Sequence, residues 1–245
     1  MSEPTKKHRD YPNSLPETRG RRRLYLMRHG DVSYYKADGT RVDDPDGVAL
    51  TDKGRRDASA MAELLTEIPF DGVVHSGMDR TEQTAHLAVA GRGLPVAARP
   101  AFREIKGGMS AAERQTLTFK DLAYGMQNAA EPGARYMQGE FYADFHGRVT
   151  TELEDLLTAT DWTRLLLVAH GGTNRAILSW VTHGGLPGME CFEQDTCCLN
   201  IIDVDVIDGE IHRRMLRMLN LTPENLTKRD GYLTTMERLL LKRIA

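Results

Sequence analysis

The chain lacks most features that would assign it to a special class. Its 245 residues include only three cysteines, Cys191, Cys197 and Cys198, an odd number bunched late in the sequence. That excludes a disulfide framework and offers no metal-ligand spacing, so reduced thiols in or near the core of a cytoplasmic protein are expected. No stretch approaches the roughly 20 apolar residues of a membrane-spanning helix, so no membrane partner is expected. The apolar run after Arg21-Arg22-Arg23 ends at Met27, too short for a secretion signal, and no small-residue cleavage site follows it. No large excess of either charge exists. The formal net charge of −3 argues against nucleic acid as a partner of the whole molecule. There is no internal repeat.

What is present is 40% hydrophobic and 27% charged residues, enough for a sizeable core. The charge is uneven. Residues 1–23 hold seven Lys/Arg against three Asp/Glu, and three prolines with almost no apolar residues. Such a segment buries too little to offset its ordering entropy. It is expected to be a flexible basic extension, with an arm for nucleic acid or an acidic partner as the alternative, and residues 24–245 to form one domain.

Leu24–Arg28 reads as a buried strand. Thr51 then caps a helix with Asp52 in its first turn and Met61, Leu64 and Leu65 on an apolar face. Short strands are expected at 70–76 and 95–98, with a helix from Asp79 to Ala90 between them. Residues 107–138, with Gly107-Gly108, three methionines and Pro132-Gly133, read as a small helical lid insertion. A long helix follows over Glu140–Leu157, then the strand "RLLLVAH" at 164–170 and a helix through Trp180. Two strands meet at Asp208-Gly209, a hairpin turn. Thr222-Pro223-Glu224 looks like a helix start, and Tyr232–Ile244 like an amphipathic helix. Its apolar stripe reads as core, with a homodimer interface as the alternative. Alternating strands and helices imply an α/β fold, three layers (α/β/α) around a mainly parallel sheet.

Two apolar strands end alike, "LYLMRHG" and "LLLVAHGG". In an open parallel sheet, ligands bind beyond the carboxyl ends of the strands. If the two strands are neighbours, His29 and His170 meet at that rim. Arg28 and Arg80, the latter just after the strand "GVVHS", would complete a pocket of donors and positive charge suited to a phosphoryl dianion. No metal spacing occurs among the remaining histidines, and no cofactor is expected.

"RHG", "SGMDRTEQTA", "FREI" and "VAHGG", in this order and spacing, resemble the motifs of the histidine phosphatase superfamily, which includes cofactor-dependent phosphoglycerate mutase. "LTDKGRRDA" resembles the family's first helix start and "GEF" at 139–141 its G-E-S. The similarity runs from about Leu24 to about Asp205. The resemblance implies that His29 is the nucleophile and that Arg28, Arg80 and His170 hold the phosphoryl oxygens, a task of positioning and charge stabilisation. It implies Glu104, in "FREI", as acid and base. Asp31, Val32 and Tyr35 depart from the family pattern after RHG, and "GMSAA" departs after "REI". Asp31 and Tyr35 are therefore candidate substrate contacts. The expected function is hydrolysis of small phosphorylated metabolites. The alternatives are a phosphomutase with the same phosphohistidine, which would want adjacent lid arginines where only Lys106, Arg114, Lys120 and Arg135 are scattered, and a non-catalytic phospho-ligand-binding protein.

Overall fold

The computed structural model describes residues 20–36, 38, 40, 42, 44–114, 116–159, 162–229 and 232–241. Six strands form one mixed sheet: β1 (Arg21–Arg28), β2 (Gly72–His75), β3 (Val96–Ala98), β4 (Arg164–Ala169), β5 (Leu199–Ile207) and β6 (Glu210–Leu221). Their order is β3-β2-β4-β1-β5-β6. The first four run parallel, and β5 and β6 are antiparallel additions. Among the described residues, eight α-helices accompany them: α1 (Asp52–Leu65), α2 (Asp79–Ala88), α3 (Ala111–Arg114), α4 (Phe119–Ala123), α5 (Tyr142–Ala159), α6 (Gly171–Val181), α7 (Gly185–Gly188) and α8 (Thr235–Leu241).

Period-two alternation makes the three layers. In β1, Leu24 and Leu26 face one way and join Phe145, Val149 and Leu153 of α5 and Ile177 of α6. Tyr25 and Met27 face the other way and join Ala58, Met61 and Leu65 of α1 and Ala85 and Ala88 of α2. Successive strand residues point to opposite faces, so a strand apolar at every position must be covered on both.

Several expectations shift at their edges. β1 begins at Arg21, so the last three residues of the basic extension belong to the sheet. The reason is a set of cross-strand ion pairs. Arg21 faces Asp205 and Arg23 faces Asp203 in register, with N–O distances of 2.7 and 2.6 Å. Residues 1–19 lie outside the described residues. Thr222-Pro223-Glu224 starts no helix. The Thr222 hydroxyl accepts from Lys228 Nζ at 3.0 Å, and a tight turn over Asn225–Lys228 occupies the segment. The final helix covers Thr235–Leu241, and 242–245 lie outside the described residues. The lid segment holds α3, α4 and a 3₁₀ turn at Tyr136–Gln138. It packs down through buried Met109 and Ala129.

Two glycines lock β1's exit against α1. A Cβ on Gly54 would lie 2.3 Å from the Asp31 carbonyl oxygen, and one on Gly30 would lie 2.7 Å from the Gly54 carbonyl oxygen. Backbone meets backbone here, so neither can give way cheaply. Gly54→Ala is expected to cost about 1–3 kcal/mol, as overpacking does, seen as a Tm lower by roughly 3–10 °C. An unchanged Tm would show that the loop yields freely.

Candidate functional site

β1 and β4 are neighbours, with Arg28 paired to Ala169, so the residues that follow, His29 and His170, come together at the carboxyl rim. Their rings lie 5.2 Å apart, centre to centre, inclined at 63°. Both are buried. The backbone fixes them: His29 N–H donates to the Ala169 carbonyl at 3.0 Å, and Cys197 N–H donates to the His29 carbonyl at 3.1 Å.

His29 Nδ1 lies 2.7 Å from the Gly30 carbonyl oxygen. A carbonyl only accepts, so Nδ1 carries the hydrogen and Nε2 keeps a lone pair. Burial, reinforced by the positive Arg28 and Arg80, pushes the His29 pKa well below the ordinary imidazole value. The ring is neutral at pH 7, which a nucleophilic nitrogen requires.

Arg28 and Arg80 are each held by part of their guanidinium. Arg28 Nη1 donates to the Gln194 carbonyl at 2.6 Å. Arg80 Nη1 donates to the carbonyls of Asp46 and Pro45, at 3.1 and 3.4 Å. Arg28 Nε, Arg80 Nε and His170 Nδ1 are buried polar atoms with no hydrogen-bond partner among the described residues. Leaving such atoms unpaired costs roughly 1–3 kcal/mol each, and the two guanidinium N–H donors among them mark a site that gains by taking an anion.

Glu104 sits at the start of α6. Its Oε2 accepts from Gly172 N–H at 2.9 Å and its Oε1 from Ile105 N–H at 3.1 Å. The approach needs glycine, since a Cβ on residue 172 would lie 2.4 Å from Glu104 Oε1 and 3.2 Å from Met126 Cε. The lid's Met126 therefore lies over the same spot. Beside it is the Tyr136 phenol, whose pKa is raised by burial and then by Glu104, Tyr142 and Tyr34.

The candidate substrate contacts fare differently. Asp31 Oδ2 accepts from Thr51 Oγ1 at 2.8 Å, while Thr51 Oγ1 accepts from Gly54 N–H at 3.0 Å. Asp31 thus braces the α1 cap. Tyr35 is 37% exposed, and its hydrogen bonds with Ser33 are made by its backbone. Nothing described brings its ring into the cluster.

Sequence reasoning passed over Gln194. Its side chain is 1% exposed and sits in a buried amide group. Oε1 accepts from Asn174 Nδ2 at 3.0 Å and Asn200 Nδ2 at 2.8 Å, which fixes the carbonyl that holds Arg28. Thr235 Oγ1 of α8 donates to that same carbonyl at 3.3 Å, and Tyr124 of the lid reaches α8 through Glu237 at 2.6 Å. No spacing in the sequence announces these long-range partners. Among the described residues, no group of three or more His, Cys, Asp or Glu is placed to hold a metal ion, and no helix is long and apolar enough to cross a membrane.

The sequence profile of the histidine phosphatase superfamily (branch 1) matches residues 24–215. The adenosylcobalamin/alpha-ribazole phosphatase of Salmonella typhimurium is 28% identical over 184 residues, 74% of this chain and 90% of that protein. A Proteus mirabilis protein named "Probable phosphoglycerate mutase GpmB" is 30% identical over 166 residues, 67% of this chain and 75% of that one. The crystal structure of the alpha-ribazole phosphatase from Shigella flexneri superposes with a TM-score of 0.64 at 24% identity, covering 81% of this chain and 96% of that one, a likeness of fold.

Proposed function

Since the chain belongs to the histidine phosphatase superfamily, branch 1, we propose that it hydrolyses small phosphomonoesters through a phosphohistidine on His29. The observation that carries this reading is a neutral, lone-pair-bearing His29 Nε2, 5.2 Å ring to ring from His170 and within the field of Arg28 and Arg80, whose buried Nε–H groups are unpartnered among the described residues. His29 Nε2 attacks phosphorus. Arg28, Arg80 and His170 hold the equatorial oxygens as charge builds on them. Glu104 gives its proton to the departing alcohol oxygen. It then takes one from water as that water attacks the phosphohistidine, releasing phosphate and restoring His29. The balance needs only ester and water, so neither metal nor cofactor is called for. The three cysteines, all free, suit a reducing, cytoplasmic compartment.

The mutase-named relative makes isomerisation the second reading. Hydrolysis is favoured by the lid, where one of the scattered cations is already engaged: Arg135 lies over the Phe141 ring at 3.3 Å and donates to the Gly139 carbonyl at 2.8 Å. The deciding experiment is a panel of phosphorylated metabolites, including the alpha-ribazole phosphate suggested by the Salmonella relative's name, scored for both phosphate release and positional isomers. Phosphate release with EDTA present is expected. Isomer formation without release would favour the mutase, and binding without either product would favour a non-catalytic sensor.

A further inference from the structure

The orientation of His170 is decided by groups that the catalytic reading leaves unused. Thr81 Oγ1 lies 2.7 Å from the Met78 carbonyl oxygen. A carbonyl cannot donate, so the Thr81 proton is committed there. Ser76 Oγ lies 2.9 Å from Thr81 Oγ1 and must donate to it. His170 Nε2 lies 2.8 Å from Ser76 Oγ, whose own proton is now spent, so the ring nitrogen is the donor. Ser76, Thr81 and His170 are each 0% exposed, which leaves no solvent to reverse the sequence of donors. A neutral His170 therefore carries its hydrogen on Nε2 and a lone pair on Nδ1, the atom left without a partner.

A lone pair repels a phosphoryl oxygen, and an N–H holds one. We propose that the Met78 carbonyl, Thr81 and Ser76 lock His170 in its Nε2–H form, so that it holds a phosphoryl oxygen only by gaining a proton at Nδ1, and phosphate binding is coupled to uptake of one proton. This rests on the phosphoryl-pocket reading above. Ser76 and Thr81 are then positioning residues that act through His170. The charged and titratable groups acting on the ring are Arg28 at the end of β1, His29 just after it, Arg80 from α2, and Arg103 from the segment after β3. Burial, followed by His29, Arg80, Arg28 and Arg103, keeps the ring neutral in the free protein. An entering dianion offsets those cations and reverses the balance. The proton comes from solvent and returns there when phosphate leaves.

The lock is tested on the full chain carrying ¹⁵N-histidine, by long-range proton–nitrogen spectra, with His170 assigned through His170→Asn. The wild-type ring is expected as Nε2–H. Thr81→Val leaves Ser76 in place but frees its proton to point at Nε2, so the ring is expected to move toward Nδ1–H. Ser76→Ala removes the acceptor altogether, so the ring should no longer be confined to one form. Inorganic phosphate is then added at about pH 8, where it is chiefly the dianion. Both His170 nitrogens should become protonated. Calorimetry in buffers of different ionisation heat should read about one proton taken up per phosphate. Apparent affinity should fall about tenfold per pH unit above that point, and less steeply in Thr81→Val. An Nδ1–H ring in the wild type overturns the lock whether or not phosphate binds. Phosphate binding without proton uptake overturns the coupling. No phosphate binding beside an Nε2–H ring overturns the pocket reading, and the coupling with it, while supporting the lock.

Discussion

Replacing His29 with alanine is expected to lower turnover of an aryl phosphate by about 10⁴-fold or more, the scale seen when a covalent enzyme loses its nucleophile. Among the described residues, the ring that is removed bonds only to its own neighbour, through Nδ1–H and the Gly30 carbonyl. The backbone bonds that join β1 to β4 and to Cys197 persist in the variant. The fold should therefore survive, which a thermal melt would verify before any rate is compared. Rapid quench of the wild type with a ³²P-labelled ester should trap an acid-labile protein phosphate, absent from His29→Ala. Full residual turnover in the variant would sink the phosphohistidine. The acid limb of the wild-type kcat/KM profile should not come from His29, because its lowered pKa keeps Nε2 unprotonated well below pH 6.5.

The second large effect belongs to Glu104. Glu104→Gln should slow hydrolysis of alkyl phosphates by about 10²–10⁴-fold, the range typical of lost general acid–base help. A nitrophenyl ester, whose leaving group departs without a proton, should be slowed much less in the phosphorylation step. The glutamine is not a silent replacement. Glu104 accepts from Gly172 N–H through one oxygen and from Ile105 N–H through the other, and an amide NH₂ would face one of those donors. Gly172→Ala separates position from chemistry. It keeps the carboxyl group but puts a Cβ 2.4 Å from Glu104 Oε1, so the side chain must move. Alkyl esters should again suffer more than aryl ones, by a smaller factor. Equal slowing across leaving groups in Glu104→Gln would remove Glu104 as the acid.

The arrangement of the rim was legible from "LYLMRHG" and "LLLVAHGG" because a buried parallel strand can be recognised locally. Its apolar run is continuous, and its end is marked by a glycine that lets the chain turn. The Thr51 cap and the Asp208-Gly209 hairpin were legible for the same reason, since each is complete within a few residues. What escaped depends on contacts between distant residues. Gln194 reaches Arg28 across 166 positions, and Asp203 reaches Arg23 across 180. The second of these turned three residues of an apparently loose basic tail into sheet. Asp31 shows the same limit. Its position beside the motif suggests a substrate contact, and the letters do not show that its carboxylate also accepts from the hydroxyl that caps α1. Thr222-Pro223-Glu224 has the letters of a helix start, but the lysine six residues on took the hydroxyl that would have capped it.

The arginine–aspartate ladder across β1, β5 and β6 bears on a property remote from catalysis, namely how the molecule meets acid. Burial alone would raise the Asp205 carboxyl, but hydrogen bonds from Arg21 and Arg213 outweigh it and hold the pKa below the usual carboxylate value. A carboxylate lowered in this way lends stability at any pH above its unfolded value. That contribution drains away as pH falls through the lowered one. The ladder stands at the amino end of β1 and His29 just past its carboxyl end, so the Asp205 share of the acid sensitivity lies at the end of the strand opposite the histidines, whose own lowered pKa values add a second share. Charge at Asp205 therefore offers a way to alter one share of the response to acid at a distance from the histidine rim.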